Sequence, residues 1–162
     1  KGSMSDTGTR VPLIVNWPAG IKKPGRVTDD LVEFTDMMPT LCELSGADLP
    51  KNHPADGASI VPVLQNKRDV RKKDWIYIWY RNQVMIRNKK YSLLAKQDGS
   101  GATLTRYKGQ FNGKELIDQK MNKAERTTKE EFEDIMAQMS KTRLSTASEE
   151  GRIMGLKNKS NR

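Results

Sequence analysis

The sequence predicts an α+β chain: an opening stretch of loop, strand and helix, then a small antiparallel sheet with a helix packed on it. Three observations carry that prediction. An apolar run over residues 11–17, with Val11, Leu13, Ile14, Val15 and Trp17, has little alternation and closes on Pro18, the pattern of a strand covered on both faces. From Trp75 onward, short β-branched and aromatic segments alternate with turn signals, as in an antiparallel meander. Near the C-terminus Phe132, Ile135, Met136 and Met139 recur at i, i+3, i+4 and i+7, one apolar stripe of a helix.

Taken in order, residues 1–10 form a small-residue loop that begins on Lys1 and ends in the turn Asp6-Thr7-Gly8-Thr9-Arg10. Pro12 stands at the start of the apolar run, where a missing amide donor is tolerated in a strand. Residues 18–25 hold two prolines and two glycines and read as loop, and 27–34 as a short extended piece. Asp36 is the expected N-cap of a helix over 37–45, its carboxylate taking amide protons of the first turn. Pro39 falls in that first turn, where no amide hydrogen bond is lost, and Gly46 is the stop signal. Met37, Met38, Leu41 and Leu44 give the helix its apolar spacing, and Cys42 is read as a small buried hydrophobe on its inner side. A loop over 47–57 leads to a short apolar piece at 60–64, capped by Asp56-Gly57-Ala58-Ser59.

The charged stretch around 67–74 reads as a solvated linker. Strands are expected at 75–80, 83–87, 90–95, 103–107 and 115–118, with turns at Asp98-Gly99-Ser100-Gly101 and Asn112-Gly113. Thr128 and Glu131 have capping-box spacing, which places the start of the last helix at Thr128. After Ser140 the pattern fades into a basic tail over 141–162.

The chain of 162 residues has one domain's worth of length, but only 35% of it is hydrophobic and its net charge is +9. Its mean hydropathy of −0.76 allows only a thin core. The positive balance suits an anionic partner or simply a solvated basic surface. The basic residues are spread out and do not form an aromatic-interleaved patch, so no nucleic acid is expected. A single cysteine excludes an internal disulfide, and no apolar run is long enough to span a bilayer. The chain opens on Lys1 rather than on Met, and the run at 11–17 meets few strand-like neighbours before Trp75. Both are read as signs that a larger N-terminal part precedes this stretch.

Four blocks, in order, resemble the type I sulfatases of the alkaline-phosphatase-like superfamily. They are the loop from Lys1 to Thr9-Arg10-Val11-Pro12 with its aliphatic strand, Trp17-Pro18-Ala19-Gly20, Asp36-Met37-Met38-Pro39-Thr40-Leu41 followed by Gly46, and Asp56-Gly57-Ala58-Ser59-Ile60-Val61-Pro62-Val63-Leu64. Residues 87–93, Arg-Asn-Lys-Lys-Tyr-Ser-Leu, are similar to a further family strand, with Ser92 in place of a lysine. The resemblance implies that 1–66 is the end of the central-sheet α/β domain, 67–74 a linker, and 75–140 the small C-terminal subdomain of sheet and helix. It implies an enzyme that hydrolyses a sulfate ester, in a sulfated small molecule or glycan, to alcohol and sulfate. A periplasmic or secreted location goes with it.

By the same resemblance the nucleophile is a formylglycine made from Cys or Ser in Cys/Ser-x-Pro-x-Arg, and a calcium ion held by Asp and Asn polarises the sulfate. Neither is expected in this chain. Cys42 is followed by Glu43-Leu44-Ser45, and Asp29 and Asp30, as neighbours, are not expected to converge on one metal. Lys1 aligns with the lysine that contacts the sulfate, a compact point charge suited to an anionic oxygen. His53, the one histidine, lies in a proline-bounded loop and is either a surface residue or a substrate-rim contact. Asp6 and Arg10 are expected to brace the loop as an ion pair; the family often carries Glu where Asp6 stands and Gly where Thr7 stands. The isolated chain is expected to be inactive. Two other readings stay open: a phosphate or phosphonate ester hydrolase of the same superfamily, and a non-catalytic basic module that binds anionic glycan or nucleic acid.

Overall fold

The computed structural model describes residues 2–51, 56–67, 73–108 and 113–153, the side chains of 6, 7 and 142–153 excepted. Its centre is a five-stranded antiparallel meander, β1 Ile76–Tyr80, β2 Gln83–Arg87, β3 Tyr91–Lys96, β4 Thr103–Tyr107 and β5 Gly113–Glu115, in sequential order. The expected strands are present, with the last one two residues earlier than its sequence pattern suggested. Asn112, half of the expected final turn, lies outside the described residues.

Alternation decides which side chains meet the helix. Val84 and Ile86 of β2, Leu93 and Ala95 of β3 and Leu104 of β4 point to one face, in a register that sets Ile86 opposite Leu93 and Leu93 opposite Leu104. They form the core with Met121, Phe132 and Met136, and Ile86, Leu93 and Leu104 are wholly buried. The apolar stripe of the last helix, α4 (Lys123–Ile153), thus covers the sheet as expected. The helix begins five residues earlier than Thr128. Asn122 is the cap: its Oδ1 accepts the Glu125 amide at 3.0 Å, and the Glu125 carboxylate accepts the Asn122 amide at 2.9 Å. Glu125 is also buried against Arg106 of β4 at 2.6 Å, so tertiary contact selects this box over the similar spacing at Thr128 and Glu131. The helix continues to Ile153, into the stretch read as a tail; 154–162 lie outside the described residues.

The opening part departs most from expectation. Residues 11–17 form no strand. A strand needs a hydrogen-bonding neighbour, and no described segment of this chain pairs with 11–17. Its apolar side chains are therefore not buried; Ile14 is 88% exposed. The run ends in a turn in which Trp17 folds back on Gly20: any Cβ there would stand 2.1 Å from the indole.

Helix α2 (Met37–Ser45) has the expected bounds, with Gly46 in the left-handed conformation after it. Its burial is reversed from the sequence reading. Pro39 and Thr40 face inward, whereas Met38, Leu41 and Leu44 are exposed and Cys42 is only half-buried. Asp36 is the N-cap residue as expected, but its carboxylate takes no amide proton of the first turn. Its fully buried carboxylate accepts the Glu33 amide at 2.9 Å and the Ala58 amide at 2.8 Å, while Thr40 Oγ1 accepts the Ile60 amide at 3.0 Å. These bonds tie α2 to the 56–60 loop and to α3 (Val61–Leu64). Glu33 joins this part to the sheet: its carboxylate pairs with Lys73 at 2.8 Å and accepts the Tyr77 amide at 3.3 Å on the open edge of β1.

Candidate functional site

The loop at 2–10 is wound tightly. Gly2 has φ +87°, a conformation that suits glycine. Met4 is buried and anchors the loop, and the Ser3 and Ser5 hydroxyls meet at 2.7 Å. The Ser5 carbonyl accepts the Gly8 amide, the Thr9 amide and the Thr9 hydroxyl at 2.9, 3.0 and 3.1 Å, closing the one-turn helix α1 (Asp6–Thr9). A Cβ at Gly8 would stand 2.1 Å from the Ser3 carbonyl oxygen, so the turn folds back onto the loop that leads into it.

Of the residues singled out by sequence, Lys1 and His53 lie outside the described residues. Asp6 opens α1, with its side chain outside the description. Arg10 follows α1, exposed and already engaged in an interaction.

What the sequence did not show is the neighbour of this loop. A Cβ built on Gly2 would lie 3.5 Å from the Tyr80 hydroxyl, so Gly2 rests against the side chain of the last residue of β1. Tyr80 and Gln83 pair across the turn between β1 and β2, which leaves Arg81 and Asn82 as a two-residue loop. Arg81 has φ +55°, is exposed, and holds its guanidinium 5.2 Å from the Tyr80 ring centre. The available signal was spacing: two strand patterns exactly two residues apart define a tight hairpin, and here arginine stands where Gly, Asn or Asp is usual.

At the opposite end of β1 and β2 lies a cleft of about 970 Å³, between residues 26–31 and 59–67 on one wall and 73–74 and 88–90 on the other. Several of its charges are paired. Lys89 Nζ meets Asp29 at 3.2 Å and Asp30 at 3.1 Å, so the adjacent carboxylates do converge, on an ammonium, because an irregular loop rather than a helix carries them. The Thr28 hydroxyl, opposed by burial and helped by Lys89, holds the Asp30 carboxyl below its ordinary value. Burial pulls the Lys89 ammonium down, but bonds and charge from Asp30 and Asp29 outweigh it and raise it. Arg26 donates to the Val63 carbonyl.

Among the described residues no three His, Cys, Asp or Glu side chains gather to hold a metal ion. With Asp29 and Asp30 committed to Lys89, these residues do not fit a calcium site. Among them, too, no helix is long and apolar enough to cross a membrane.

Comparison with known proteins bears on this site. The family described as N-sulphoglucosamine sulphohydrolase, C-terminal, matches residues 1–150. An ulvan-active sulfatase of Formosa agariphila is 35% identical over 104 residues, 58% of this chain and 20% of that protein. Steryl-sulfatase of Mus musculus is 32% identical over 77 residues, 48% of this chain and 12% of that protein. Arylsulfatase A of Bos taurus is 42% identical over 64 residues, 40% of this chain and 12% of that protein. The chain thus spans a fifth or less of the length of these relatives.

Proposed function

The chain belongs to the N-sulphoglucosamine sulphohydrolase C-terminal family, and from that premise we propose that it serves as the C-terminal part of a sulfuric ester hydrolase, inactive by itself. The observation that carries this reading is the run at 11–17, an apolar strand sequence left without a ladder partner and with Val11, Leu13, Ile14 and Val15 exposed. An exposed apolar run with a strand's sequence calls for neighbouring strands to complete it. In this reading residues 1–66 complete a central sheet, 67–74 link, and 75–140 form a subdomain set against the substrate loop.

The reaction is hydrolysis of a sulfate ester to an alcohol and sulfate. Its difficulty is the charge on the sulfuryl oxygens, and a fixed cation at those oxygens lowers the barrier. Lys1 supplies that cation, held by a loop that Gly2, the buried Met4 and the Ser5 carbonyl shape. Asp6 and Arg10 support the loop, and His53 contributes to the substrate rim. The nucleophile and the calcium ligands come from other parts of the enzyme. The substrate is a sulfated small molecule or glycan; the printed names of the relatives, ulvan-active, steryl and aryl, span several kinds of sulfate ester.

The test is direct. The 162-residue chain alone is expected to leave 4-methylumbelliferyl sulfate intact, whereas the complete enzyme carrying it turns the probe over. Lys1→Ala in the complete enzyme should lower kcat by about 100-fold, the usual effect of removing one charge-stabilising donor. Turnover by the isolated chain, or full activity in the Lys1→Ala enzyme, refutes the reading.

A further inference from the structure

Resting on the sulfatase reading, we infer that α2 is an interface helix: its outward stripe of Phe34, Met38, Leu41 and Leu44 packs on the face of a β-sheet supplied by the rest of the enzyme. The first support is geometry. The single turn Phe34–Asp36 leads directly into α2, and the four residues stand at i, i+4, i+7 and i+10, along one side of the helix. All four are exposed, Phe34 by 87% and Leu41 by 65%, while Asp36, Pro39 and Thr40 are buried on the inward side. A surface helix ordinarily turns its apolar stripe to a core and its polar side to water. Here the order is reversed, so a second apolar body is needed on the outer side of α2.

The second support is what the run at 11–17 requires. Its apolar residues show little alternation, the pattern of a strand covered on both faces. A sheet that takes in such a strand needs helices over its faces, and α2 follows the run in the chain with an uncovered apolar stripe. This contact is distinct from strand pairing: side chains make it on a sheet face, not backbone groups at an edge. The third support is charge and size. α2 carries no basic residue, so a nucleic acid or an anionic lipid surface, which a net charge of +9 would otherwise favour, finds no cation on this helix. Most of each relative lies outside the stretch that this chain matches, which leaves ample polypeptide to supply the sheet.

The test makes the same substitutions in two settings, the 162-residue chain and the complete enzyme that carries it. Phe34→Cys should react freely with a maleimide in the chain and about tenfold more slowly in the complete enzyme, read on the modified peptide by mass spectrometry. Leu41→Ala should leave the thermal midpoint of the chain unchanged, because its side chain already stands in water, and should lower that of the complete enzyme by about 5 °C. Glu43→Gln, exposed on the same helix but off the stripe, should move neither midpoint. The inference is overturned if Phe34→Cys labels equally fast in both settings, or if Leu41→Ala leaves the midpoint of the complete enzyme where it was. A dimer of the 162-residue chain that Leu41→Ala dissociates, with the stripe still reactive in the complete enzyme, overturns it in favour of a second copy as the occupant. A complete enzyme that protects the stripe yet hydrolyses no sulfate ester overturns the sulfatase reading and leaves the interface in place.

Discussion

The sheet with α4 and the part before it treat their apolar residues in opposite ways. Strands β2, β3 and β4 and helix α4 bury a contiguous core around Ile86, Leu93 and Phe132. Before residue 66 Met4, Ile60 and Val61 are buried, but many of the large apolar side chains turn outward: Val11, Leu13, Ile14, Val15, Val27, Phe34, Met38 and Leu41 are exposed. The inward positions there are partly polar, with Asp36 and Thr40 among the buried side chains. The difference teaches that one unit closes on itself, while the other is shaped by backbone hydrogen bonds to side chains and presents an apolar surface outward.

The comparison breaks most visibly through core truncation. Leu93→Ala should cost about 3 kcal/mol, lost transfer energy plus a cavity, and lower the thermal midpoint by on the order of 10 °C. Ile14→Ala in the same chain should shift the midpoint hardly at all, because its side chain is 88% exposed. Equal losses in the two variants would show that the run at 11–17 is packed after all.

Next in size is Glu125→Ala, which removes both the α4 cap and the partner of Arg106. A loss of about 2–3 kcal/mol is expected in denaturant unfolding. A change below 0.5 kcal/mol would mean that the box at Thr128 can start the helix instead (on the order of an ordinary surface substitution).

Asp36→Ala should cost about 2 kcal/mol, and locally, since its buried carboxylate serves the Glu33 and Ala58 amides. Hydrogen exchange should quicken around those amides while the β2 and β3 amides keep their protection. Uniform loss of protection would mean that the two regions unfold as one.

The smallest effect is expected at the cleft. The Asp30 pKa is lowered on folding, so its stabilising contribution is present above the unfolded value of 3.8 and is lost as pH falls through the folded value. The Lys89 pKa is raised, so its contribution is present below 10.5 and is lost as pH rises through its folded value. Stability should therefore be flat in this respect at neutral pH, and Lys89→Ala should cost about 0.5 kcal/mol or less, vanishing in high salt. A large salt-resistant loss would show that the Lys89 contacts hold the two regions together.

The sequence by itself determined what depends on near neighbours. Alternation and turn residues set the bounds of β2 and β4, the i, i+3, i+4 stripe set the buried face of α4, and Gly46 ended α2, because propensity and period are local properties. The order of motifs around Pro12, Trp17, Pro39 and Gly57 also carried the family. Only the tertiary structure decided the rest. It left 11–17 without strand partners among the described residues, sent the Asp36 carboxylate to Ala58 instead of its own helix, capped α4 at Asn122 because Arg106 waited for Glu125, and set the Tyr80 hydroxyl beside Gly2. Each of these is a contact between groups far apart in the chain, or the want of one. Local pattern carries no record of which distant group will be within 3 Å.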